Sequence, residues 1–346
     1  GVALAGSRLA PALAVPGAVP GASIHLKQVI AESGLEDWKL ADYEAMRDDE
    51  PRTAKFAAAI QRRLRGVEGQ ATVVDIGTGA LALLAVIAAK AGARKVYAIE
   101  KNKEAAQMAR ETVARAGLQE KIEVIEGDSM QVELPERVDL VVSELIGSIA
   151  TQEGVEPIIR DAGKRFLKGS LSGGRSGACP QMIPARCQTF IAPVKYTEHR
   201  IMSFASKRGI MSRGTPQLGT VRPLRLKSKT RDLNFLAPPQ LLEDFDYCSP
   251  EASRQSEKLL TFEIPAAVAA DAKDFSGFAM WTGVVLDDLE RLEVRGQRTT
   301  SHWAYVVALM SPEPTAIAAP GVIQLKASID YAADPVRYTL DAAASA

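Results

Sequence analysis

The stretch VVSELIGSIATQEG, Val141 to Gly154, carries two glutamates nine positions apart, Glu144 and Glu153. Glu144 closes an apolar run that reads as a buried strand, so its carboxylate emerges at the strand end. Glu153 follows a loop able to fold back toward it. A guanidinium suits such a pair: it is planar, offers five donors and stays protonated in proteins. Carboxylates on two sides grip its fork with charge-assisted bonds. They draw positive charge away from one terminal nitrogen, whose lone pair becomes a nucleophile. Orientation beside an electrophile and fixed negative charge then supply most of what the reaction needs. Glu156 shares a helix face with Glu153 if a helix begins there, and is an alternative second acid; the spacing favours Glu153. Taken singly, Glu153 and Glu156 are also ordinary acids of a helix first turn.

A second group lies upstream. VVDIGTG, Val73 to Gly79, ends in glycines that permit a tight turn and close approach of a ligand. Asp75 can bond either a ligand or the loop itself. Glu100 ends the next strand, KVYAIE, where a carboxylate takes two hydrogen bonds from ribose hydroxyls. Gly127-Asp128 follows a third strand, placing a carboxylate where an adenine amino group would donate. Thr78, Lys101 and Ser129 flank these positions. A dehydrogenase more often shows G-x-G-x-x-G, whereas Gly77 to Ala82 reads G-T-G-A-L-A. Glycine turn, acid after the second strand and Gly-Asp after the third, in that order, resemble the S-adenosylmethionine-binding fold. Leu81 stands where that fold usually has its third glycine.

The elements that must position these residues alternate in type. A helix interrupted near Pro51 is expected over residues 40–64, because proline is tolerated only in a helix first turn. Strands are expected at Ala71–Ile76, Lys95–Glu100, Ile122–Glu126 and Val138–Glu144, with helices at Leu81–Ala91 and Glu104–Ala116 between them. This rhythm predicts an α/β, doubly wound Rossmann-like domain with a parallel sheet, whose ligands bind beyond the carboxyl ends of the strands. After residue 182 the pattern becomes short strands between turns and prolines, at Ala185–Val194, Leu259–Ile264, Phe275–Val285, Ala304–Met310 and Val322–Tyr331. The expected division is a tail or linker over 1–38, a cofactor domain over 39–182, and an antiparallel β-barrel-like domain over 183–346 with a basic insertion at about 195–235. Ser170 to Pro180 reads as a flexible surface insertion.

Four separated blocks resemble the protein arginine methyltransferases. Glu144 to Glu153 matches their double-glutamate loop, with Gly147 in place. Met46-Arg-Asp-Asp-Glu-Pro-Arg-Thr53 matches their M-x-x-D-x-x-R helix segment. Ser301-His302-Trp303 matches a Thr-His-Trp loop, and Phe275 to Trp281 matches a Gly-Phe-x-x-Trp barrel strand, with Ile183-Pro184 marking the start of the barrel. The resemblance covers about residues 41–345. It implies transfer of a methyl group from S-adenosylmethionine to arginines of arginine-rich proteins such as histones. It implies that Arg52 pairs with the cofactor carboxylate, that Met46 lies beside the substrate arginine, and that His302 pairs with Asp49 with Trp303 packing beside it. SELIGS and YAIEKN look closer to relatives making symmetric dimethylarginine, while Met46 and the His-Trp loop look closer to the other subclasses, so no product type is assigned. The aromatic residues many relatives carry in the acidic loop are absent; Ser148 and Ile149 stand there.

Bulk composition sets the remaining bounds. The 346 residues hold 42 basic and 42 acidic side chains, so no global charge draws the chain to nucleic acid or membrane. Residues 195–231 nevertheless contain ten Lys/Arg and a single acid, Glu198, leaving 32 basic against 41 acidic residues elsewhere. The basic stretch falls where the family inserts a dimerisation arm, and reads equally as such an arm of a homodimer or as a disordered loop. The acid-rich remainder suits arginine-rich peptides. Cys179, Cys187 and Cys248 read as reduced thiols of a cytoplasmic or nuclear protein, with no metal-ligand spacing. Residues 1–22, rich in Ala, Pro and Gly, read as a disordered linker or as part of a targeting peptide. A methyltransferase of the same fold acting on RNA or a small molecule, and a scaffold that has lost activity, are the competing functions.

Overall fold

The computed structural model describes residues 23–31, 39–169, 179, 181–199, 223–250, 256–266, 274–295, 301–318 and 320–345. In chain order the elements begin with β1 (Ser23–Ala31), α1 (Leu40–Arg47), α2 (Glu50–Leu64), β2 (Thr72–Ile76), α3 (Leu83–Lys90) and β3 (Lys95–Glu100). There follow α4 (Lys103–Arg115), β4 (Ile122–Glu126), β5 (Leu140–Ser143), α5 (Val155–Arg165), β6 (Met182–Ile183) and β7 (Arg186–Tyr196). The second half comprises β8 (Leu224–Lys227), β9 (Leu233–Phe235), β10 (Gln240–Asp246), β11 (Glu257–Ile264), β12 (Asp274–Phe275) and β13 (Gly277–Val285). It closes with β14 (Arg291–Glu293), β15 (Ala304–Leu309), β16 (Thr315–Ala316), β17 (Gly321–Asp330) and β18 (Arg337–Ser345).

The first sheet is wholly parallel, in the order β4-β3-β2-β5-β6. Every residue of β2 and β5 is buried, as expected of strands covered on both faces. α2 turns Phe56, Ala59, Ile60 and Leu64 into the core at helical spacing. α4 is capped by Asn102, whose side chain accepts from the Ala105 amide at 2.9 Å. The strand order reverses between β2 and β5, where Ile76 and Ser143 stand side by side. The two chains therefore leave the sheet together, one into Gly77 and the other into Glu144. That is the switch-point crevice in which doubly wound sheets bind ligands.

The second half is antiparallel: a seven-stranded sheet along β10-β7-β13-β15-β8 with β14 and β9 at its sides, and a four-stranded sheet β1-β18-β17-β11. Residues 23–31 thus differ from the expected tail. β1 pairs with β18 over its whole length, burying Gln28 and Ile30 while Val29 faces outward. One further expectation changes. Cys179 and Cys248 form a disulfide, with Cα atoms 5.2 Å apart, and Cys187 alone remains a free, buried thiol. The pairing escapes a reading of spacing because β10 returns to the domain junction: the Tyr247 amide donates to the Ala185 carbonyl at 3.0 Å, which carries Cys248 to the start of β6. Most of Ser170 to Pro180, and residues 200–222 of the basic stretch, lie outside the described residues, so the expected insertion and arm do too.

Candidate functional site at the switch-point crevice

The glycine turn is held from behind by Glu100. Its Oε2 accepts from the Gly79 amide at 2.9 Å and its Oε1 from the Asn102 amide at 2.8 Å. Each oxygen keeps a lone pair for another donor. Gly77 and Gly79 both have positive φ, 73° and 65°. A Cβ on Gly79 would lie 2.7 Å from the Tyr43 ring, so α1 lies directly across the turn. Burial, with Glu100 and Asp42 nearby, pushes the Tyr43 hydroxyl up to about 12, which keeps it a protonated donor.

Asp75 holds the loop through one oxygen, while its Oδ1 is buried without a hydrogen-bond partner among the described residues. Its Oδ2 accepts from Thr78 Oγ1 at 2.6 Å and from the Ala85 amide at 3.0 Å. Burial raises its pKa to about 7 against those two bonds. Thr78 is thereby turned inward as well. Asp128, at the edge, accepts from the Met130 amide at 3.0 Å and pairs with the exposed Lys101 at 3.2 Å; the Met130 bond leads in holding its carboxyl low. Ser129 is buried, and its carbonyl accepts from Arg165 at 2.6 Å.

Across the crevice, Arg52 donates to Glu144 Oε2 at 2.5 Å, and its other terminal nitrogen reaches the Met46 carbonyl at 3.3 Å. Met46 is itself half-buried. Asp49, at the junction of α1 and α2, accepts three bonds on Oδ2: Ser301 Oγ at 2.9 Å, the His302 amide at 3.1 Å and His302 Nδ1 at 3.2 Å. Burial works to raise its pKa, and the bonds from His302 and Ser301 outweigh that, so the carboxyl titrates below its usual range. Trp303 packs against the His302 ring and donates to the Ile146 carbonyl at 2.8 Å.

The acidic loop is fastened to the barrel along its length. Thr282 donates to the Gly147 carbonyl at 2.6 Å, and Ser148 Oγ accepts from Arg225 at 3.1 Å and from the Ala304 amide at 3.2 Å. Gln152 folds over Gly147, where a Cβ would meet its Cγ at 2.4 Å. The Gly154 amide bonds to the Thr151 carbonyl at 3.0 Å, making a turn with the half-buried Glu153 at a corner. Glu156, the alternative acid, is buried in the first turn of α5, with Arg160 as its ion-pair partner at 3.8 Å. Sequence reading missed Tyr43, Thr282 and Glu243, which support this site; only the proximity of Tyr43 to the Met46 segment pointed toward the crevice.

A doubly wound parallel sheet with a ligand crevice at its switch point, joined to an antiparallel β-barrel that closes over the acidic loop, defines a two-domain architecture with a Rossmann-like first half. The sequence profile described as PRMT5 arginine-N-methyltransferase matches residues 35–170. A probable protein arginine N-methyltransferase 6.1 of Oryza sativa subsp. indica is 34% identical over 156 residues, 45% of this chain and 38% of that one. Protein arginine N-methyltransferase 6 of Xenopus tropicalis is 25% identical over 283 residues, covering 78% of each. The matched part thus spans well under half the length of the rice relative. Among solved structures, Arabidopsis thaliana protein arginine methyltransferase 10 superposes with a TM-score of 0.67 at 19% identity, over 88% of this chain and 93% of that one. The Trypanosoma brucei PRMT1 enzyme–prozyme heterotetrameric complex with AdoHcy superposes with a TM-score of 0.62 at 19% identity, over 83% and 87%. Over residues 35–170 the chain is similar to the protein arginine N-methyltransferases, with no subclass specified.

Proposed function

We propose that this chain transfers a methyl group from S-adenosylmethionine to a guanidinium nitrogen of arginine in protein substrates. One observation carries the reading: the buried carboxylate of Glu144, at the switch-point crevice, already holds a guanidinium, that of Arg52. A position that desolvates and binds this cation is chemically matched to an arginine substrate.

The crevice fits the cofactor on its own donor set. Arg52 Nε is buried without a hydrogen-bond partner among the described residues, and a buried guanidinium N–H calls for an anionic acceptor. The cofactor carboxylate would be that acceptor. The spare lone pairs of Glu100 would take the ribose hydroxyls, and Asp128 the adenine amino group. Gly77 and Gly79 would let the backbone approach, with Thr78, Asp75, Lys101 and Ser129 shaping the turn and its edge. When bound, the cofactor supplies an electrophilic methyl on a sulfonium. Glu144 and Glu153 would hold the substrate guanidinium and keep its charge away from the attacking nitrogen. Met46 would line the arginine's path, and Asp49 with His302 would close the crevice against water.

A rice relative named probable histone-arginine methyltransferase supports histone-like tails as substrates, in the cytoplasm or nucleus. The heterotetrameric trypanosome complex supports assembly, which we read here as a homodimer. Among the described residues no helix is long and apolar enough to cross a membrane. The test is mass spectrometry of arginine-rich peptides and of RNA after incubation with S-adenosylmethionine. Methylated arginine is the expected result. Methyl groups found in RNA alone, or no transfer despite calorimetric binding of the cofactor, would overturn the reading.

A further inference from the structure

Glu243, on β10, is buried on the barrel side of the acidic loop. A carboxylate so placed is costly unless its lone pairs are filled, and here they are filled by hydroxyls. Thr189 donates to Oε2 at 2.6 Å; Thr151 and, at 3.2 Å, Tyr331 donate to Oε1. The Tyr338 hydroxyl lies 2.7 Å from Thr151 Oγ1 and 3.4 Å from Glu243 Oε1. Burial pushes the carboxyl pKa up, and these hydroxyls pull it back.

Two consecutive loop residues hang from this one carboxylate. Thr151 bonds it directly. Ala150 reaches it through a relay, its amide donating to Thr189 Oγ1 at 2.9 Å while Thr189 donates on to Glu243. Thr151 is also the first residue of the turn closed by Gly154, so fixing Thr151 fixes the corner on which Glu153 stands. The strand is adapted to this arrangement. The β10–β7 register shifts between Leu241 and Glu243, which places Glu243 directly opposite Thr189. Such a bulge re-aims a side chain that regular alternation would send elsewhere.

We propose that Glu243 is a positioning residue for the second acid of the site, acting through Thr151 and through Thr189 and Ala150 to set the turn that carries Glu153. The inference rests on the reading of Glu153 as that second acid.

The experiment compares the full chain with Glu243→Gln, Thr151→Val, Thr151→Ser and the Glu243→Gln/Thr151→Val double variant. The readouts are methylation of an arginine-glycine-rich peptide, calorimetric affinity for S-adenosylhomocysteine, and amide exchange over residues 147–154. Displacing Glu153 should lower kcat by about 10- to 100-fold in Glu243→Gln and Thr151→Val, while product affinity stays within about twofold. Thr151→Ser, which keeps the hydroxyl, should restore kcat. Exchange over the loop should rise in the two impaired variants, and the double variant should be no slower than the slower single one. Wild-type kcat and exchange in a folded Glu243→Gln or Thr151→Val protein would overturn the proposal, as would effects that multiply in the double variant. If Glu243→Gln does not fold, the Val and Ser variants at Thr151 decide alone. A wild-type protein inactive on arginine peptides overturns the arginine reading instead, and loop exchange still decides whether Glu243 sets the turn.

Discussion

Arg52 and Glu144 lie 92 positions apart in the chain and 2.5 Å apart in the structure, with side chains only 4% and 9% exposed. Truncating either partner strands a buried charge, at about 3–5 kcal/mol. Glu144→Gln is milder, since an amide oxygen still accepts from Arg52, but it leaves that guanidinium without a counter-charge and removes the negative charge that a substrate guanidinium would meet. The variant is expected to fold, to bind S-adenosylhomocysteine by calorimetry, and to lose about 100- to 1,000-fold in kcat on an arginine peptide. Retained transfer would show that Glu144 serves only to hold Arg52.

The contact between Tyr43 and the glycine turn makes a different kind of prediction. Gly79→Ala meets two obstacles, a φ of +65° and a ring carbon 2.7 Å from the new Cβ. Gly66→Ala meets only a φ of +83°, with open space around it. Both substitutions should lower stability by about 1–3 kcal/mol through the backbone. Only Gly79→Ala should also weaken S-adenosylhomocysteine binding, because α1 must move off the turn. Equal product affinity in the two variants would mean that the turn and Tyr43 do not line the cofactor site.

Much of the crevice was legible because its strands are short apolar runs ending in residues that apolar strands do not need. Glu100 and Glu144 each follow from such a run, Gly127-Asp128 follows the third strand, and the parallel order of the sheet brings those ends to one edge. What was not legible depends on partners far along the chain. Residues 23–31 alternate weakly, and their pairing with β18 more than 300 positions away leaves no local trace. Glu243 sits in LLEDFD beside another acid, where nothing marks it as the buried one; the bulge in β10 makes that choice. Asp75 was read as open to ligand or loop; the Thr78 hydroxyl and Ala85 amide take its Oδ2 for the loop, and its Oδ1 has no partner among the described residues.

That inward position gives Asp75 a pH signature. Its folded pKa, raised by burial to about 7, exceeds the usual aspartate value, so the folded state holds the proton more tightly than the unfolded chain. Its contribution to stability is therefore fully present below the ordinary aspartate range and is lost as pH rises toward about 7. The difference in unfolding free energy between wild type and Asp75→Asn should shift in favour of wild type as pH falls through that window, by up to about 1.4 kcal/mol per pH unit. Denaturant titrations at several pH values measure it. A difference that does not change with pH would mean that Asp75 is ionised in the folded protein.

Asp49 has the opposite sign. Its bonds from His302 and Ser301 hold its pKa low, so its stabilisation is present at neutral pH and fades as pH falls through the acid range. Asp49→Asn leaves an acceptor for Ser301 but weakens the hold on His302. It should raise KM for peptide more than it changes affinity for S-adenosylhomocysteine, because the segment carrying Trp303 loosens over the acidic loop. Unchanged peptide kinetics would separate this contact from the substrate path.

The Cys179–Cys248 bridge joins the approach to β6 with the end of β10, and so ties the parallel-sheet domain to the barrel across 69 positions of sequence. Thiol titration of the purified chain, denatured without reductant, should count one reactive cysteine, Cys187, and three after reduction. Closing so long a loop restricts the unfolded chain, so Cys248→Ser or treatment with reductant should lower stability by about 2–4 kcal/mol. β6 pairs with β5, the strand that leads into Glu144, so loosening this junction acts on the crevice as well as on the fold. Thermal melts with and without reductant, run beside peptide methylation, separate the two effects. Three thiols in the unreduced chain would show that the bridge does not form in solution, and the junction would then rest on strand pairing and the Tyr247–Ala185 hydrogen bond alone.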